Sequence, residues 1–110
     1  MENLQQLIEH KIYIPLTYAL ALEDDCWYVG FSTQLNTRLA QHIQGTASKW
    51  TTLHPIKDLV EVKIGNCERD LTLQYMTMYG WETTRGYSWS SPDLAKAPVP
   101  IRTLRPNKVL

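Results

Sequence analysis

Thr17-Tyr18-Ala19-Leu20-Ala21-Leu22, then Glu23-Asp24-Asp25, then Trp27-Tyr28-Val29-Gly30-Phe31 is the stretch whose reading decides the fold. Two short runs of apolar and aromatic residues flank three consecutive acids. Apolar runs of this length bounded by a polar turn read as strands, and the pair reads as a β-hairpin. The longest apolar run, Ile14 to Leu22, contains Pro15 and stops at the acids, so it is too short to cross a bilayer.

Downstream, Leu35, Leu39 and Ile43 recur every four residues and predict a helix over Asn36–Gln44. Asn36 or Thr37 is placed to cap its start, and Gly45 to stop it. Thr46–Pro55 reads as a loop with basic and aromatic content. Leu59–Ile64, apolar at positions 60, 62 and 64, predicts a third strand, and Gly65-Asn66 a turn. Glu68–Tyr79 predicts a second main helix, with Leu71, Tyr75 and Met78 on one face and Gly80 as its stop. Upstream, Leu4, Leu7 and Ile8 give residues 2–10 a short helix ended by Pro15. The expected architecture is α/β, of the α+β type: a small three-stranded antiparallel sheet flanked by helices. Three segments follow. These are an N-terminal helix (1–12), a domain (13–91), and a Pro-rich basic segment (92–110) that is either packed on the domain or partly mobile.

The length of 110 residues suits one domain with a core of its own, and 44% apolar against 20% charged residues excludes a disordered chain. The start, Met1-Glu2-Asn3-Leu4, lacks the pattern of a signal peptide, and Cys26 and Cys67 form no Cys-x-x-Cys pair. A cytoplasmic protein with two separate thiols and no membrane segment is therefore expected. Net charge is zero, yet unevenly spread. Residues 1–30 carry five acids and one base, whereas residues 92–110 carry Lys96, Arg102, Arg105 and Lys108 against Asp93. Such polarisation allows one basic surface without a basic total.

The chemistry-bearing residues are ordered along these elements. Tyr18 lies on the first strand, Tyr28 ten positions later on the second, and Arg38 eight positions after Gly30 on the helix, with His42 one turn further. Thr17-Tyr18-Ala19, Tyr28-Val29-Gly30 and Asn36-Thr37-Arg38-Leu39-Ala40-Gln41-His42 together resemble the signature of the GIY-YIG nuclease family. The likeness covers roughly residues 13 to 89. Gly45-Thr46-Ala47-Ser48-Lys49-Trp50-Thr51 and Tyr79-Gly80-Trp81 with Arg85-Gly86 resemble small stand-alone members. Independently of any family, a guanidinium forks onto phosphate oxygens. Phenols and an imidazole at the same edge can position water or move protons.

The resemblance implies the GIY-YIG fold and a divalent-metal endonuclease that hydrolyses phosphodiesters, with DNA favoured over RNA. Tyr18, Tyr28, Arg38 and His42 would be catalytic, and Lys49, Trp50 and Arg85 would contact nucleic acid. The family holds one Mg2+ or Mn2+ with a glutamate on the helix after the third strand. Aligning Leu71 and Leu73 puts Gln74 there, with Asp70 as a substitute ligand and Glu68 and Glu82 bracketing the helix. An amide in place of that carboxylate raises an alternative reading, an impaired domain that binds nucleic acid or a protein partner without cutting. A protein partner or a homodimer is also open.

Overall fold

The computed structural model describes residues 13–103. The expected helix over residues 2–10, together with Arg105 and Lys108 of the basic tail, lies outside the described residues. The hairpin forms as the sequence predicts. Strand β1 (Leu16–Leu22) turns through a 3-10 segment, Glu23–Asp25, into β2 (Cys26–Ser32), with Tyr18 opposite Gly30 and Leu20 opposite Tyr28. Asp24 and Asp25 hold φ at 64° and 55°, a region that aspartate enters more readily than most residues.

Helix α1 (Leu35–Gln44) follows, then a short α2 (Lys49–Leu53), β3 (Ile56–Ile64) and α3 (Glu68–Tyr79). A short strand, β4 (Thr84–Gly86), and one turn of helix, α4 (Val99–Arg102), complete the order. The sheet runs β3-β1-β2-β4. β1 is antiparallel to both β2 and β3, while β4 lies parallel to β2, with Tyr28 beside Arg85. The architecture is thus mixed α+β with a four-stranded mixed sheet, which corrects the expected three-stranded antiparallel one. Three residues flanked by Thr83 and Tyr87 carry too little periodicity to announce β4. A close approach makes it: a Cβ on Gly86 would meet the Val29 carbonyl and the Thr72 hydroxyl, each at 2.6 Å.

The sheet divides the core in two. Leu16, Tyr18, Leu20 and Leu22 of β1 pack with Tyr28 against Leu35 and Leu39 of α1 and Trp50 of α2. Ala19 and Val29 face the other way, onto Leu71 and Tyr75 of α3. Alternation along β1 therefore feeds both layers.

Helical geometry corrects two predicted faces. In α1 the buried residues are Leu35, Leu39 and His42, whereas Ile43 is exposed. Seven residues advance about 700°, nearly two whole turns, while eight overshoot by about 80°. In α3 Met76 is buried with Leu71, Thr72 and Tyr75, and Met78 is exposed. The stretch 46–55, expected as a loop, contains α2. The Ser48 side chain caps that helix by accepting from the Thr51 N–H at 3.1 Å. On β3 the apolar alternation at 60, 62 and 64 marks residues left uncovered, up to 83% exposure at Ile64. Ile56 and Leu59 are the side chains of β3 that pack on the core, beside register irregularities in the β1–β3 pairing.

A candidate phosphate cleft and its buried support

Tyr28, Arg38 and Glu68 line one open cleft of about 570 Å³. Ala47 and Ser48 from the α1–α2 connection and Lys49 at the start of α2, with Tyr87 and Ser90 to Pro92, complete its walls. Each residue arrives by a different element. β2 carries Tyr28, α1 carries Arg38, and the first turn of α3 carries Glu68. Arg38 also borders a smaller depression of about 380 Å³ formed by residues 31–34 and the start of α1. On the other side, Ser48, Lys49 and Pro92 are shared with a larger depression of about 780 Å³ that ends at Asp93. That larger depression is not where the reactive groups meet. Arg38 lines two of the three depressions.

Arg38 is half-buried, and Nη1 donates to Gln41 Oε1 at 3.0 Å. Its charge is felt by four neighbours. Burial pushes the Tyr18 and Tyr28 phenols up, and Arg38 opposes both shifts. Burial, with a smaller contribution from Arg38, pushes His42 down to about 4. Burial raises the Glu68 carboxyl, against a hydrogen bond from the Tyr87 N–H (3.2 Å) and the Arg38 charge. One cation thus sits at the electrostatic centre of two phenols, an imidazole and a carboxylate.

Tyr18 and His42 lie beneath this cleft. Tyr18 is 0% exposed and His42 2%. The Tyr18 hydroxyl stands 2.7 Å from His42 Nε2, and the His42 ring meets the Tyr28 ring edge-on at 4.9 Å. Tyr18 needs the glycine of the second tripeptide: a Cβ on Gly30 would overlap its hydroxyl. Two of the four expected catalytic residues, Tyr28 and Arg38, reach the cleft; Tyr18 and His42 support it from below.

The expected nucleic-acid contacts also separate. Lys49 is exposed at the cleft edge. Trp50 is buried, and its indole N–H donates to the Trp27 carbonyl at 2.9 Å. Arg85 is 3% exposed and its guanidinium lies over the Trp50 ring at 4.2 Å. It donates to the carbonyls of Ser91 (2.7 Å), Trp81 (2.9 Å), Glu82 (3.2 Å), Thr84 (2.9 Å) and Pro92 (3.0 Å). Arg85 therefore folds the segment that walls the cleft and faces no open surface. Gln74 and Asp70 are exposed on α3, and Asp70 pairs with Arg69 at 3.3 Å. The carboxylate in the cleft is Glu68 instead, six positions before Gln74. Its position is itself a sequence signal, because Glu68 opens the helix after the third strand, whereas matching Leu71 and Leu73 selects Gln74.

Among the described residues no three His, Cys, Asp or Glu side chains cluster as a metal cage, and no helix is long and apolar enough to cross a membrane. Both cysteines are free. No family model, no curated protein and no solved structure matches the chain.

Proposed function

We propose that this chain is a divalent-metal nuclease of the GIY-YIG type, acting on phosphodiesters of nucleic acid, with DNA the preferred substrate over RNA. The observation that carries the reading is the meeting of Tyr28, Arg38 and Glu68 in one open cleft from three separate elements. A phosphate seated there would receive the Arg38 guanidinium on its non-bridging oxygens, which offsets charge growing at phosphorus. Lys49 at the edge adds sequence-independent attraction to the backbone. The Tyr28 hydroxyl would hydrogen-bond the attacking water or the phosphate.

Glu68 fits a single Mg2+ or Mn2+. Magnesium is commonly held by one or two carboxylates, with waters and substrate phosphate oxygens filling the rest. Glu68 offers one carboxylate, with Tyr28, Ser90 and Ser91 on the same walls. The ion, when bound, supplies Lewis acidity and a water of lowered pKa. Glu68 would hold the ion and meet its charge, while Arg38 would hold the phosphate. This carboxylate weighs against an impaired domain that binds without cutting, because the amide at Gln74 is not the group that faces Arg38.

The experiment is incubation of the purified chain with labelled single- and double-stranded DNA and RNA, with Mg2+ or Mn2+. The proposal expects cleavage that chelation abolishes. Folded protein that leaves every substrate intact under both metals defeats it. Salt-dependent binding without cleavage would then assign the binder reading.

A further inference from the structure

A line of buried polar groups runs from the cleft into the α1–α2 layer. The Tyr18 hydroxyl is 2.7 Å from His42 Nε2, and His42 Nδ1 is 3.0 Å from Thr51 Oγ1. Thr51 Oγ1 lies 2.9 Å from Ser48 Oγ and 3.3 Å from the Ser48 carbonyl. Thr51 itself is 1% exposed. At the cleft end, the Arg38 charge acts on the Tyr18 hydroxyl.

The two ends set the direction of every bond between them. Among the described hydrogen bonds the buried Tyr18 hydroxyl has a single partner. The phenol proton then has one acceptor among its described partners, His42 Nε2. The opposite polarity, with Nε2–H donating to Tyr18, would strand the phenol proton in a fully buried place. A bare Nε2 on a neutral ring puts the ring proton on Nδ1, where it donates to Thr51 Oγ1. Thr51 in turn keeps its proton for the oxygens of Ser48, of which the carbonyl only accepts.

We infer that Thr51 fixes His42 as the Nδ1–H tautomer, and that this one-way chain from Ser48 through Thr51, His42 and Tyr18 turns a lone pair of the Tyr18 oxygen toward Arg38 at the cleft. Thr51, His42 and Tyr18 are then positioning residues rather than groups that touch substrate. Free histidine favours the other tautomer, so the assignment runs against the default of the ring. Burial keeps the imidazole neutral near pH 7, as the chain requires. The effect on cleavage rests on the nuclease reading; the tautomer and the order of Arg38 do not.

The test is long-range 1H–15N correlation on the 15N-labelled full chain at pH 7. The expected spectrum has His42 Nδ1 protonated and Nε2 bare. Thr51→Val, nearly the same shape without the acceptor, should move His42 toward Nε2–H, and Thr51→Ser should retain Nδ1–H. In the same samples the Arg38 guanidinium protons should exchange roughly tenfold faster in Thr51→Val than in wild type or Thr51→Ser. Cleavage should show kcat lower by roughly 10- to 100-fold in Thr51→Val, with KM held and Thr51→Ser rescued. An Nε2–H tautomer in the wild-type spectrum overturns the inference, whether or not Thr51→Val folds. A switched tautomer with unchanged Arg38 exchange overturns the link to the cleft. Loss of the nuclease reading alone, with no cleavage by any form, leaves both spectra to decide.

Discussion

Two arginines stand on opposite sides of the same cleft wall and use their guanidinium groups in opposite ways. Arg85, on the 81–92 segment, spends its donors on five backbone carbonyls and its face on Trp50. Arg38, on α1, is half-buried, braced by Gln41, and still borders two open depressions. A buried cation persists only when its donors are met, and Arg85 meets that condition with main chain alone. The contrast teaches that an arginine beside a cleft is functional to the extent that its donors remain unspent. Arg85 builds the wall, and Arg38 is the group left facing what enters.

Breaking the structural side of the pair should give the largest effect. Arg85→Ala removes the donors to those carbonyls and the cation over Trp50, and should cost roughly 4 kcal/mol in urea unfolding. A loss below about 1 kcal/mol would mean that the carbonyls find water and that Arg85 is no keystone. Arg38→Ala should reverse the pattern. Cleavage should fall about 100- to 1,000-fold, the scale of a lost charge-stabilising donor, while unfolding shifts by less than about 1 kcal/mol. Equal cleavage by this variant would erase the distinction between the two arginines.

The imidazole under Arg38 sharpens the comparison through pH. Burial and Arg38 depress His42 to about 4, below its ordinary 6.5. Above pH 6.5 the ring is neutral in folded and unfolded chains alike, and its neutrality costs nothing. As pH falls from 6.5 to 4, the unfolded ring takes a proton that the folded ring refuses, so stability drops. The loss is on the order of 3 kcal/mol and levels off below the folded pKa. His42→Gln should lack this component when unfolding curves of the two proteins are compared across that window. Parallel curves would place a charged, accessible imidazole at this site.

The same two arginines show how much of the molecule could be read from residues alone. Arg38 was legible because it has company at fixed distances: Tyr28 ten residues after Tyr18, Gly30 eight before the arginine, and a strand-to-helix change between them. Arg85 carried the same chemistry with no such frame. Its carbonyl partners belong to an irregular segment whose backbone direction no periodicity records. Lys49 and Trp50 were read alike as contacts for nucleic acid, yet Lys49 is exposed at the cleft edge while Trp50, four residues before His54, turns inward on a helix too short to announce itself. The hairpin and α3 emerged where predicted, because apolar runs and a glycine stop mark them. β4 was not legible, since three residues become a strand only when Gly86 lets the chain approach Val29. The cleft carboxylate was visible as a bracketing acid. A one-dimensional alignment preferred Gln74, because helix phase relative to the sheet is a property of packing.

The central claim is that Arg38 faces Glu68 across a site where phosphate and a divalent ion meet. Its most direct measurement is Mg2+- or Mn2+-dependent cleavage of a labelled oligonucleotide by Glu68→Gln beside Gln74→Ala. Glu68→Gln should lose roughly 100-fold or more in rate, with a weaker metal dependence, and Gln74→Ala should cut like wild type. Full activity in Glu68→Gln, with activity lost in Gln74→Ala, would contradict the account and move the ion to the exposed face of α3.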